Sequence, residues 1–251
     1  MNNNKTSIKI GLIVSILIVI LILIYYKNLR KYLRVNPVFL KNPMDARNYL
    51  NVDNNILVKP LYNNKLSFHF WMYVDNLTYH YGLYKNIFTK GSKGIKSRNQ
   101  CPGLYISPKT NDITLIVSTK LKNDFFKIEN FPLRKWFSIG IVIDGIHLDV
   151  YKNGLLEYSK NLSAQIRSNI GDLHIAQYGG YRGLITCIQY FSDYKGSNIM
   201  HYKHIKGPYC KSYLRVLWDK LTGKNDKLYN FNNSKLEKDS ENPKQNQTHF
   251  L

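Results

Sequence analysis

The sequence predicts an all-β chain, an antiparallel two-sheet sandwich carried behind an N-terminal transmembrane helix. Three observations predict it. An uncharged apolar run spans Ile10 to Tyr26. From about Ile56 the apolar residues recur with period two, the spacing of a strand and not of a helix. Short strands are then parted by turn signals, with no helical period between them. The chain has 251 residues and a formal net charge of +20, from 36 Lys and Arg against 16 Asp and Glu. That length fits one domain with appendages. Hydrophobic residues make up 44%, enough to fill a core, which excludes disorder throughout. Three cysteines exclude a disulfide-dense mini-scaffold. Ile, Lys, Asn and Tyr are all served by AT-rich codons, so part of the positive charge reflects composition and not a ligand.

Residues 1–9 are a polar flank and residues 10–26 (IGLIVSILIVILILIYY) the transmembrane helix. As a helix this run rises about 25 Å, close to the thickness of a bilayer's hydrocarbon core. Tyr25 and Tyr26 stand where an interfacial aromatic belt would lie. The run has no polar face, unlike a core helix. No small-residue cleavage site follows Lys27, which favours an uncleaved, single-pass anchor over a signal peptide. Lys27, Arg30, Lys31 and Arg34 outnumber Lys5 and Lys9, which places the C-terminal part on the cytoplasmic side by the positive-inside rule. A Cys187–Cys210 bridge would favour a lumenal or extracellular side, whereas free buried thiols would not, so the sequence leaves the side open.

Residues 27–55 read as a basic juxtamembrane stem, in which Pro37 and Pro43 preclude one long helix. Residues 56–207 carry the strands. Lys65 to Val74 sets Leu66, Phe68, Phe70, Met72 and Val74 on one face and Ser67, His69, Trp71 and Tyr73 on the other. Asp112 to Thr119, Trp136 to Ile143 and His147 to Tyr151 follow, then Asn153-Gly154 and another short strand. Asp144-Gly145 and Asn153-Gly154 are hairpin signals, because both pairs tolerate positive φ. Leu173 to Gln177 and Gly183 to Phe191 complete the set. Residues 208–251 form a polar tail, with one short helix at Tyr213 to Leu221 and disorder expected after it.

Four stretches carry a family resemblance. They are Leu66-Ser-Phe-His-Phe-Trp-Met-Tyr-Val, Pro102-Gly-Leu-Tyr-Ile-Ser-Pro, the hairpin from Lys135-Trp-Phe-Ser to Tyr151-Lys-Asn-Gly, and Tyr178-Gly-Gly-Tyr-Arg-Gly-Leu-Ile-Thr-Cys-Ile-Gln-Tyr-Phe. In this order the chain resembles a laminin-G-like domain of the concanavalin A-like lectin/glucanase superfamily. The resemblance implies a two-sheet jelly roll whose rim loops bind glycans or protein ligands, sometimes with calcium. Trp136 and Tyr151 are expected to pack in the sandwich core, and Asn153-Gly154 to form a tight turn.

Catalysis is not expected. A retaining glycosidase needs two carboxyl groups about 5–5.5 Å apart. The four Glu (Glu129, Glu157, Glu237, Glu241) do not stand in the Glu-x-Asp-x-x-Glu pattern of the hydrolase relatives. Asp144 and Asp149 flank a hairpin and are five apart, which by simple parity sets them on opposite strand faces unless a bulge intervenes. His201 and His204 have no partnering cluster for zinc, and Gly91 to Ser97 lacks the P-loop spacing. No cofactor is expected, with calcium the one open case: Asp75, Asp112, Asp124 and Asp172 lie near strand ends, where turn capping by Asp is the commoner role.

The densest positive stretch runs from Lys85 to Arg98 and holds Lys85, Lys90, Lys93, Lys96 and Arg98 with Gly91 and Gly94. It reads as a basic loop that binds an anionic glycan or acidic lipid head groups. No nucleic-acid motif appears, so nucleic acid is not an expected partner. The leading reading is a membrane-anchored, non-catalytic module recognising a glycan or a protein. The alternative is a structural component of a membrane or enveloped particle that uses the sandwich for protein contacts only, with a glycoside hydrolase a distant third.

Overall fold

The computed structural model describes residues 2–57, 64–167, 169–208 and 210. The expected helix Tyr213 to Leu221 and the tail after it lie outside these residues. Helix α1 (Asn2–Val35) contains the apolar run and extends it at both ends. Within it Ile10–Lys31, 22 residues of mean hydropathy 2.6 with none buried, is long and apolar enough to cross a membrane.

Among the described residues thirteen strands follow. They are β1 (Val38–Phe39), β2 (Met44–Asp45), β3 (Leu50–Val52), β4 (Lys65–Val74), β5 (Lys85–Gly91), β6 (Gln100–Ile106) and β7 (Ile113–Ser118). After them come β8 (Asn123–Ile128), β9 (Trp136–Asp144), β10 (His147–Lys152), β11 (Leu155–Asn161), β12 (Leu173–Ile175) and β13 (Gly183–Phe191), then helix α2 (Ser197–Ile205). All pairs are antiparallel. The larger sheet runs β1-β13-β4-β9-β10-β11, with β2 also on β13, and the smaller runs β3-β12-β5-β6-β7-β8. The two faces meet over one core that includes Phe68, Phe70, Met72, Leu104, Phe137 and Ile141, all fully buried. Each such side chain contributes about 1.5–3 kcal/mol by leaving water.

Three expectations are corrected. The stem is not separate from the sandwich: β1, β2 and β3 pair with β13 and β12. Residues 85–91 are not a loop but strand β5, paired on both sides. Trp136 and Tyr151 are not in the inter-sheet core. Phe137, Ile139 and Ile141 point inward, so the period of two sends Trp136 outward, where its ring lies 5.8 Å from that of Tyr73. Tyr151 forms a second cluster with Val142 and Met200. Met200 belongs to α2, which covers the outer face of the larger sheet. Trp71 stacks on His204 there at 5.0 Å, and Ser138 Oγ meets His204 Nδ1 at 3.0 Å.

The Asn153-Gly154 turn forms as expected, with φ of 53° and 75°. A Cβ on Gly154 would lie 2.8 Å from His204 Cβ, so this turn seats α2 as well as reversing the chain. Cys187 and Cys210 are joined by a disulfide with Cα atoms 5.6 Å apart.

Register fixes which end of the sandwich α1 enters. β13 runs from Gly183 beside Val74 to Phe191 beside Ser67. Val38 pairs with Gln189, and the Gln189 amide donates to Asn36 O at 3.2 Å. The chain therefore leaves α1 at the end holding Lys65, Asp144 and the Gly145-Ile146 turn. Leu162 N donates to Ile146 O at 2.7 Å, and Thr119 bridges Ile166. The turns 92–99 and 119–122 of the smaller sheet thus share this entry rim. Val74, Trp136 and the Asn153-Gly154 turn lie at the far rim.

Candidate functional site

The five basic residues singled out in the sequence divide into two groups. Lys85 and Lys90 are buried strand residues. Lys85 Nζ donates to Leu83 O and Pro108 O. Lys90 Nζ donates to Asn54 Oδ1, Gly171 O and both oxygens of Asn169. Burial pulls the Lys90 ammonium down to about 8. Both ammonium groups are taken up by oxygens of the protein itself. Lys93, Lys96 and Arg98 are exposed on the turn between β5 and β6. Lys93 Nζ lies 5.0 Å from the Tyr49 ring centre.

The fold adds three exposed cations that are distant in sequence. Arg98 donates to Leu121 O at 3.0 Å and Arg167 to Arg98 O at 3.3 Å. Lys120 N donates to Gln165 O at 2.9 Å, and Lys120 Nζ to Gln165 Oε1. Lys120, Lys122 and Arg167 therefore join the same rim. Sequence spacing could not bring them together, because the long-range bridge Thr119–Ile166 does so.

The four aspartates do not converge. Asp75 accepts from Arg182 at 2.9 Å at the far rim. Asp112 accepts from Thr110, from Asn130 N and from Lys127. Burial pushes the Asp112 carboxyl up, but these donors outweigh it and hold it below the usual range. Asp124 accepts from Ser163 N at 2.6 Å. Asp172 accepts from Asn51 and Asn54 N, which lower its pKa. Each carboxylate is turned toward donors, the capping role. Among the described residues no three His, Cys, Asp or Glu side chains cluster as a metal site.

A cleft of about 280 Å³ opens on the outer face of the larger sheet, lined by Val142, Asp144, His147, Asp149, Ser159 and Tyr194. It overturns the parity argument. The two-residue turn pairs Asp144 with His147 and Val142 with Asp149. Residues directly opposite share a face, so Asp144 and Asp149 lie on the same side. Ser159 extends the row from β11, opposite Asp149. Asp144 is ion-paired to Lys65 at 3.0 Å, and His147 Nδ1 meets Asn161 Oδ1 at 2.8 Å. Asp149 makes no hydrogen bond or ion pair among the described residues. The cleft thus offers an unengaged carboxylate, a hydroxyl and the half-exposed Tyr194 ring beside Val142.

No protein-family model matches the sequence, and no curated protein shows significant similarity to it. Solved structures do match. The ligand-binding domain of botulinum neurotoxin serotype D in complex with N-acetylneuraminic acid superposes with a TM-score of 0.53 at 15% identity, over 68% of this chain and 44% of that one. The serotype D binding domain gives 0.51 at 16% identity, again over 68% of this chain and 44% of that one. The shared feature is the fold. This chain spans less than half the length of those domains. They are β-sandwiches of the lectin-like kind.

Proposed function

We propose that this protein is a membrane-anchored, non-catalytic binding module of the laminin-G, concanavalin A-like kind, and that its outer-face cleft takes a hydroxyl-rich glycan. The observation that carries the reading is the unengaged Asp149 carboxylate beside Ser159 and Tyr194. A carboxylate accepts hydrogen bonds from neighbouring sugar hydroxyls, and an aromatic ring packs on the C–H face of a pyranose. Asp144 and Asp149 repel an acidic sugar, so an uncharged one suits this cleft. The ion pair to Lys65 engages Asp144 and leaves Asp149 as the unengaged acceptor of the two. A sugar ligand is compatible with the fold, since the serotype D neurotoxin domain was solved with one. Helix α1 supports the anchor. The disulfide supports display on an oxidising side of the membrane, against the count of flanking charges.

The test is a glycan array probed with the full chain in detergent, next to Asp149→Asn. Binding to neutral sugars, lost in the variant while its unfolding temperature is kept, is the expected outcome. Folded wild-type protein that binds no glycan, or a variant that binds equally, overturns the cleft.

A further inference from the structure

Ion pairs occur at both ends of the sandwich: Arg47 with Asp45 at 2.6 Å, Arg182 with Asp75 at 2.9 Å, Lys127 with Asp112 at 3.0 Å and Lys152 with Glu157 at 2.5 Å toward the far rim, and Lys65 with Asp144 at 3.0 Å at the entry end. At the entry rim, Lys93, Lys96, Arg98, Lys120, Lys122 and Arg167 are exposed, and none has an ion-pair partner among the described residues. Four aliphatic side chains project from the same rim: Ile56, Leu121, Ile146 and Ile170, between 41% and 76% exposed. The turns that carry the cations are bonded to one another, Arg98 to Leu121 O and Arg167 to Arg98 O. Asn123 donates to Ser97 O at 2.8 Å.

This is also the end at which α1 enters. The apolar span ends at Lys31, and by Asn36 the backbone is already bonded to Gln189 of β13. A link this short keeps the rim close to the surface the helix crosses, since five residues reach at most about 18 Å even fully extended. Unpaired cations interleaved with exposed aliphatic tips are the composition of an interfacial surface.

We propose that the entry rim docks on anionic lipid head groups of the same leaflet from which α1 emerges. The docking rests on the anchoring read above but not on the glycan cleft, which lies on the outer face of the larger sheet. Clustered cations on loops recognise net negative charge and not one head group.

The experiment uses the full chain in nanodiscs of phosphatidylcholine, with and without phosphatidylserine, read by amide hydrogen exchange. Residues 92–99, 119–122 and 163–167 are expected to exchange several-fold more slowly on anionic discs. The difference is expected to vanish in the triple variant Lys93→Glu, Lys96→Glu, Arg98→Glu, with exchange in β9 and β10 unchanged, and to shrink at high salt. Equal exchange on the two disc types overturns the docking while leaving the anchor intact. Slowing by a soluble sulfated glycan but not by anionic discs overturns it in favour of an anionic glycan. A chain that does not enter discs at all overturns the anchor, and the docking with it.

Discussion

Lys90 shows how one residue can mislead a reading made from composition. Beside Lys93 and Lys96 it looks like part of a charged loop. In the fold its stem lies in β5, and its ammonium group holds four oxygens from three residues, Asn54, Asn169 and Gly171. It ties the Asn54 turn to the segment that precedes β12. Replacing it with Met would leave those acceptors without their donor, at a cost of about 2–4 kcal/mol. Lys96→Met, on the exposed turn, should move stability by no more than about 0.5 kcal/mol. Urea unfolding of the two variants checks this, and equal midpoints would remove the structural role of Lys90. Nothing local in the sequence separates the two lysines. What separates them is burial, which depends on Asn169, 79 residues away. Asp149 is legible in the same limited way. Its type was visible, but its face was not, because the turn length decides the parity and the expectation ignored it.

At the scale of elements, β4 and β13 have the bounds their alternation predicts, Lys65–Val74 and Gly183–Phe191. In β4 the inward positions Leu66, Phe68, Phe70, Met72 and Val74 are uniformly apolar, so period two is unmistakable, whereas β13 slips register between Thr186 and Gln189 and its core residues Ile185 and Ile188 stand three apart. β5 and β8 were not legible, since Lys85, Asn86 and Lys90 interrupt one and Asn123, Asp124 and Lys127 the other. The short strands β1, β2 and β3 were hidden for a different reason, since two or three residues carry no period at all. The role of α2 follows from β4. His69 and Trp71 face away from the core yet are buried, which requires a cover. Burial first, then the Lys203 and His204 charges, lowers the His69 pKa to about 3. His204 is also lowered, by burial and then by His201. A folded-state pKa below the unfolded value of a base means that only the unfolded chain takes up the proton as pH falls below 6.5. Stability should therefore drop from about pH 6.5 downward, by up to roughly 4 kcal/mol near pH 3. Thermal unfolding between neutral pH and pH 5 should show it, and His69→Leu should flatten the slope. A slope unchanged in that variant would assign the acid sensitivity to other groups.

For the whole molecule, the division into an apolar helix and a two-sheet sandwich was legible, because each is written in its own period along the chain. The working surfaces were not. The cleft draws residues from β9, β10, β11 and the segment before α2, and the entry rim draws on three separate turns. Both arise only when the sheets close. The anchor itself is open to a direct test. The full chain should stay with the membrane pellet at alkaline pH, and a chain lacking residues 2–35 should not. A mature product shortened by the whole of α1 would instead make the helix a cleaved signal.

The borders of the larger sheet carry a last consequence. One border is β11, whose exposed residues include Glu157 and Lys160, and whose pairing with β10 slips at Val150/Tyr151. The other is built from two strands of two residues each, β1 and β2. A kinked, charged margin and a broken one are both poor templates for a foreign strand. Many copies crowded into one bilayer could then stand shoulder to shoulder without zippering into a continuous ribbon.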